Sequence, residues 1–159
     1  MAKLVKTDEE VMLADMARGF LDGAAPVSKL RQMRDDGATH DPVLWKEMAE
    51  MGWAGVLVPE DAGGSDMGYA AANVIAEEMG KTLAVSPFIS TAVIAATALR
   101  QVSDARAKEA LARIASGEAT YALAVDEGIK DSYKARTLKS ILRGSVTVTG
   151  GSNKAMLLT

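Results

Sequence analysis

The chain has 159 residues, 48% of them apolar and 25% charged, with a net charge of −3 and no cysteine. This is the balance of a soluble globular protein with one domain, or one domain and part of another. It excludes disulfide frameworks, thiolate metal sites and thiol nucleophiles, and its scattered basic residues argue against a nucleic-acid partner.

Residues 1–10 turn acidic without an apolar core, and no stretch reaches the roughly 18 apolar residues of a membrane helix. The expectation is no signal peptide, no membrane insertion and a cytoplasmic location. Thr7 and Glu10, three apart before an apolar series, form a capping-box signature. Leu13, Met16, Ala17, Phe20 and Leu21 then recur at helical spacing, with Gly23 as the predicted stop. A second helix is predicted over 27–36, with Leu30 and Met33 on its inner face and Gly37 ending it.

Asp41 followed by Pro42 reads as an N-cap with proline in the first turn. The helix it opens turns Leu44, Trp45, Met48 and Met51 inward and closes at Gly52. Residues 53–58 are apolar but too few for a helix, and Pro59 terminates them. A loop over 61–68 leads to a helix over 69–79 with Ala72, Ile75, Ala76 and Met79 on one face. Ser86 and Pro87 repeat the cap-plus-proline signal and open an almost uncharged helix to about Leu99, the kind that is buried or lines a cavity. Ser103 and Asp104 cap a last helix through Ala107, Leu111 and Ile114 to Gly117.

After residue 118 the period changes. Strands are predicted over 120–125, 139–142 and 145–149, with another beginning at 155 after the turn Gly150-Gly151-Ser152-Asn153. The fold class is thus mainly α, a bundle of about six helices over residues 1–118, followed by the first strands of a β domain over 119–159. The last strand runs apolar to residue 159, and two or three strands do not make a stable sheet alone. A longer polypeptide, or a covering partner, is the expectation.

Most catalytic chemistry finds no residues here. His40 is the only histidine and precedes a helix cap, so a Ser/His/Asp triad has no base and zinc no ligand cluster. No dinucleotide or phosphate-loop glycine motif occurs. The pairs Asp35-Asp36 and Glu77-Glu78 diverge by about 100° on a helix, which reads as solvated helix ends.

The order of parts in "LWKEMAEMGWAGVLVPEDAGGSDMGYAAANVIAEEMG", residues 44–80, carries more information. It resembles the N-terminal helical domain of the acyl-CoA dehydrogenases: a Trp-bearing helix with a Gly-Trp stop, a run into Pro-Glu, a Gly-Gly turn, and a helix ending Glu-Glu-Met-Gly. Trp45, Gly52, Trp53, Val58, Pro59, Glu60, Gly63, Gly64, Glu77, Glu78 and Gly80 stand at the pattern's positions. The stretch 103–127 resembles the helix and Gly-Glu that lead into the family's middle β domain.

The resemblance implies FAD as cofactor, an acyl-CoA thioester as substrate and α,β-dehydrogenation, with electrons passed to an electron-transfer acceptor. It implies homo- or hetero-oligomers of family subunits, and a structural corner at Pro59-Glu60 and Gly63-Gly64. The family's base lies in a C-terminal domain, so no catalytic residue is assigned. Ser90, Thr91, Ile94 and Ala95 are the implied acyl contacts, with core packing as their alternative. The implied flavin-side residues are Leu123, Val125, Asp126 and Val148.

Here the chain departs from the family. Asp126 and Gly128 stand where the family has Thr and Pro, and the Gly-Ser-Asp loop is not recognisable in 129–136. Val146-Thr147-Val148-Thr149 replaces a Trp-Ile-Thr-Asn segment, losing its stacking aromatic and its hydroxyl. A second reading follows: a non-catalytic subunit with a degenerate flavin site, paired with a flavin-bearing homologue. A third, a free-standing helical module for an apolar ligand, is opposed by the strands.

Overall fold

The computed structural model describes residues 6–123 and the backbone of 155–157. Helix α1 (Asp8–Ala24) opens on the predicted capping box, with the Thr7 hydroxyl accepting from the Glu10 N–H and the Glu10 carboxylate from the Thr7 N–H. The helix runs through Gly23, and its end is fixed by Pro26, which has no N–H to continue the ladder. Its buried residues are Leu13, Ala14, Ala17 and Leu21, whereas Met16 is half exposed. Small Ala14 takes the inner position because α1 lies closely along α4 (Gly68–Thr82).

Helix α2 (Val27–Asp35) buries no residue fully, and Leu30 and Met33, expected on its inner face, are half-buried. Helix α3 (Pro42–Glu50) is capped as expected: Asp41 accepts from the Val43 N–H at 2.9 Å, and Leu44, Trp45 and Met48 are buried. Residues 53–58 form consecutive buried turns at the centre of the core, where Trp53 meets Phe20 edge-on with centroids 5.2 Å apart.

The corner that follows uses its two glycines differently. Gly63 takes a left-handed φ of +83°, while Gly64 lies so close to Val58 that a Cβ would stand 2.0 Å from the Val58 carbonyl oxygen. Arg100 fastens the corner from outside, donating to the Leu57 carbonyl at 2.8 Å and pairing with Asp66 at 2.8 Å.

One carboxylate pair departs from expectation. Glu77 is exposed and pairs with Lys6 and Lys81, but Glu78 is only 1% exposed and faces α1. Its neighbours are cations rather than water, as Arg18 and Lys81 both reach it.

The uncharged segment winds as a π-helix (Phe88–Ala95) that continues into α5 (Ala96–Leu99). A sequence apolar on every side carries no periodicity that could distinguish the two windings. Helix α6 (Ala105–Ala115) is capped by Asp104 and buries Ala107, Leu111 and Ile114. Strand β1 (Tyr121–Leu123) pairs in parallel with β2 (Ala155–Leu157), Tyr121 opposite Ala155 and Leu123 opposite Leu157. The strands expected over 139–142 and 145–149 lie outside the described residues.

Candidate functional site

An open apolar groove of about 500 Å³ runs between α2, the C-terminal end of α4 and the start of the π-helix. Leu30, Ala76, Met79, Leu83, Val85 and Ile89 line it, and no acidic or imidazole side chain does. Leu83 follows α4 with a left-handed φ of +56°, a conformation uncommon for a side chain of this size, and stands half exposed at the lip. Ile89, which also lines the groove, is half exposed.

A smaller pocket beside the groove shares Leu30, Leu83 and Val85 with it and reaches Lys29 and Asp41. Asp41 forms an ion pair with Lys29. Burial alone would raise its pKa, but the Lys29 ammonium and the N–H groups of Leu44 and Val43 hold the carboxyl below its ordinary value. Its charge is committed to α2 and to the start of α3. His40, next to it, is half-buried with Nδ1 3.4 Å from the Thr39 hydroxyl. Among the described residues no group of three His, Cys, Asp or Glu is placed to hold a metal.

The four residues assigned to the acyl chain by resemblance divide between two flanks of the π-helix. Ser90 and Ile94 face outward, half-buried and 44% exposed respectively, and the Ser90 hydroxyl donates to the Pro87 carbonyl. Thr91 and Ala95 are fully buried. The Thr91 hydroxyl donates to the Tyr121 carbonyl at 2.9 Å and accepts from the Tyr121 N–H at 3.0 Å. Ile89, Leu83 and Val85, which line the groove, carried no signal in the sequence beyond being apolar.

Of the flavin-side residues, Leu123 ends β1, half-buried and apolar, which suits the edge of an aromatic ring system. Val125, Asp126 and Val148 lie outside the described residues. The groove can take up an apolar group; it has no side chain to move a proton.

Residues 7–118 match the family model described as "Acyl-CoA dehydrogenase, N-terminal domain". The chain belongs to the acyl-CoA dehydrogenase family. The acyl-CoA dehydrogenase IpdE2 of Mycolicibacterium smegmatis is 30% identical over 107 residues, 67% of this chain and 34% of that protein. The acyl-CoA dehydrogenase FadE34 of Mycobacterium tuberculosis is 30% identical over 139 residues, 82% of this chain but 19% of its own length.

Among solved structures, a variant of the Tcur3481–Tcur3483 steroid ACAD superposes with a TM-score of 0.68 at 30% identity, over 77% of this chain and 34% of that one. The ChsE4–ChsE5 complex from Mycobacterium tuberculosis gives 0.72 at 20% identity, over 82% of this chain and 36% of that one, a likeness of fold. The chain spans about a third or less of these relatives. Among the described residues no helix is long and apolar enough to cross a membrane.

Proposed function

We propose that this chain supplies the helical wall of the acyl site in an FAD-dependent acyl-CoA dehydrogenase that introduces an α,β double bond into an acyl-CoA thioester. The observation that carries this reading is the double service of one apolar helix. Its Ile89 end closes the groove, while its Thr91 holds the strand that bears Leu123. The domain division is placed between residues 118 and 119, supported by the end of the family match at 118. The cytoplasm is the proposed location.

In this reading the groove takes the apolar end of the acyl group by desolvating it against Leu30, Met79, Leu83, Val85 and Ile89. The outward flank of Ser90 and Ile94 borders the same substrate further along the π-helix, and Thr91 and Ala95 support that flank from within. A volume of about 500 Å³ admits a bulky acyl group, and similarity to a steroid ACAD supports a polycyclic one. When bound, FAD would accept the substrate's β-hydrogen as hydride, and electrons would leave to an external electron-transfer acceptor. Leu123 would border the flavin ring. The base that removes the α-proton would come from a part of the assembled enzyme beyond this chain.

The second reading, a non-catalytic subunit beside a flavin-bearing homologue, is favoured by Asp126, Gly128, Val146 and Val148, which replace the family's flavin contacts. Two-protein neighbours support a hetero-oligomer of this kind. One experiment separates the two: the complete gene product, purified with any co-purifying partner, is titrated anaerobically with acyl-CoA thioesters while its flavin absorbance is followed. Flavin carried by this polypeptide and bleached by substrate supports the dehydrogenase. Flavin found only on a partner supports the second reading, and a preparation without flavin or partner contradicts both.

A further inference from the structure

We infer that Thr91 is a positioning residue whose hydroxyl takes the place of a neighbouring strand and fixes where β1 docks on the helical layer. A threonine inside a helix ordinarily spends its hydroxyl on a carbonyl of its own preceding turn, as adjacent Ser90 does with Pro87. Thr91 instead reaches 30 residues along the chain and satisfies both main-chain groups of Tyr121. A hydroxyl is donor and acceptor at once, so this one side chain provides both bonds that a paired strand would have supplied.

The contact is fully buried at Thr91, where any unmade bond is expensive. It also sits in a π-helical stretch, a winding often found at functional sites. Thr91 therefore ties the helix that borders the groove to the strand that ends in Leu123, and it sets their separation. The strand-docking role stands on these contacts alone; its consequence for flavin rests on the function proposed above.

The test uses the complete gene product with Thr91→Val, which keeps the shape and removes the hydroxyl, and Thr91→Ser, which restores it. Amide exchange at Tyr121 is expected to quicken about tenfold in the valine variant while amides of α1 and α4 keep wild-type rates, with recovery in the serine variant. The same valine variant is expected to shift the visible flavin band and to lose flavin more readily, again with recovery in serine. Exchange that rises uniformly along the chain, or does not rise at Tyr121, overturns the docking role. Faster exchange beside an unchanged flavin band and flavin retention overturns its extension to the cofactor. Wild-type protein without flavin would refute the dehydrogenase reading, and the exchange result would still decide the role of Thr91.

Discussion

Arg18 on α1 reaches Glu78 on α4 with its Nε and Nη2 each 3.3 Å from a different carboxylate oxygen. Lys81, one turn further along α4, donates to the same carboxylate at 2.7 Å. The two cations are half exposed while the carboxylate between them is buried, so charge is desolvated on one side of the network only. Replacing Glu78 with Gln leaves both cations without their buried partner. The expected loss is about 2 kcal/mol, below the usual figure for a fully buried pair because Arg18 and Lys81 retain water. Denaturant unfolding at neutral pH would measure it.

The same network fixes a direction with pH. The Lys81 hydrogen bond lowers the Glu78 pKa below its ordinary 4.5; burial opposes this, and Arg18 reinforces it. A carboxylate with a depressed folded pKa contributes stability that is full above its unfolded value and disappears as pH falls through the folded one. Wild-type stability attributable to Glu78 is thus expected to be flat near neutrality and to decline below about pH 4.5. The Gln variant should lack that increment, so the two stabilities should converge in acid. Parallel curves down to acid pH would show that the pair contributes nothing.

The caps were legible in the sequence because they are local: Thr7 with Glu10, Asp41 with Pro42, and Asp104 each act within one turn. What was not legible depends on partners far along the chain. Adjacent carboxylates must diverge on a helix, and Glu78 shares the buried stripe of α4 with Ala71, Val74 and Ile75; what local spacing could not show is its partner Arg18, sixty residues earlier. The α1 stripe included Met16 by spacing, yet the close approach of α4 selects small Ala14. Ser90, Thr91, Ile94 and Ala95 are two i, i+4 pairs, so the helix sends one pair to each flank. The groove draws on α2, α4, the connection over 83–86 and the π-helix, and Ile89, Leu83 and Val85 have no common spacing to reveal it.

Arg100 makes a further case for stability. Its guanidinium satisfies the carbonyl of fully buried Leu57 and pairs with Asp66. Arg100→Met keeps the aliphatic stem but leaves that carbonyl unpaired, at an expected cost of about 2 kcal/mol. Limited proteolysis should then cut within 60–67 in the variant before it cuts wild type. An unchanged cleavage pattern would mean that the corner holds without its clasp.

The two glycines of that corner are expected to respond differently to alanine. At Gly63 the new Cβ meets nothing within 4 Å, so only the left-handed backbone is penalised, by about 1–2 kcal/mol. At Gly64 the Cβ would overlap the Val58 carbonyl, and the turn must open, at about 3 kcal/mol or more. Thermal unfolding of the two variants should rank Gly64→Ala well below Gly63→Ala. The reverse order would mean that backbone conformation, rather than close packing on Val58, governs the corner.

The groove and the outward flank of the π-helix yield the prediction closest to function. Ile89 and Ile94 are 50% and 44% exposed, so a charge at either disturbs the fold little, by about 0.5 kcal/mol. In the assembled enzyme the same charge would stand against the acyl group and keep water in a surface that substrate must dry. Ile89→Glu is expected to raise KM for a bulky acyl-CoA about tenfold, with a smaller effect on a short acyl-CoA that does not reach the groove. Ile94→Glu, further along the helix, should affect both substrates if that flank borders the acyl chain throughout. Equal KM values for wild type and Ile89→Glu with the bulky substrate would exclude the groove from acyl binding. A uniform fall in kcat would point to an effect on the neighbouring strand instead.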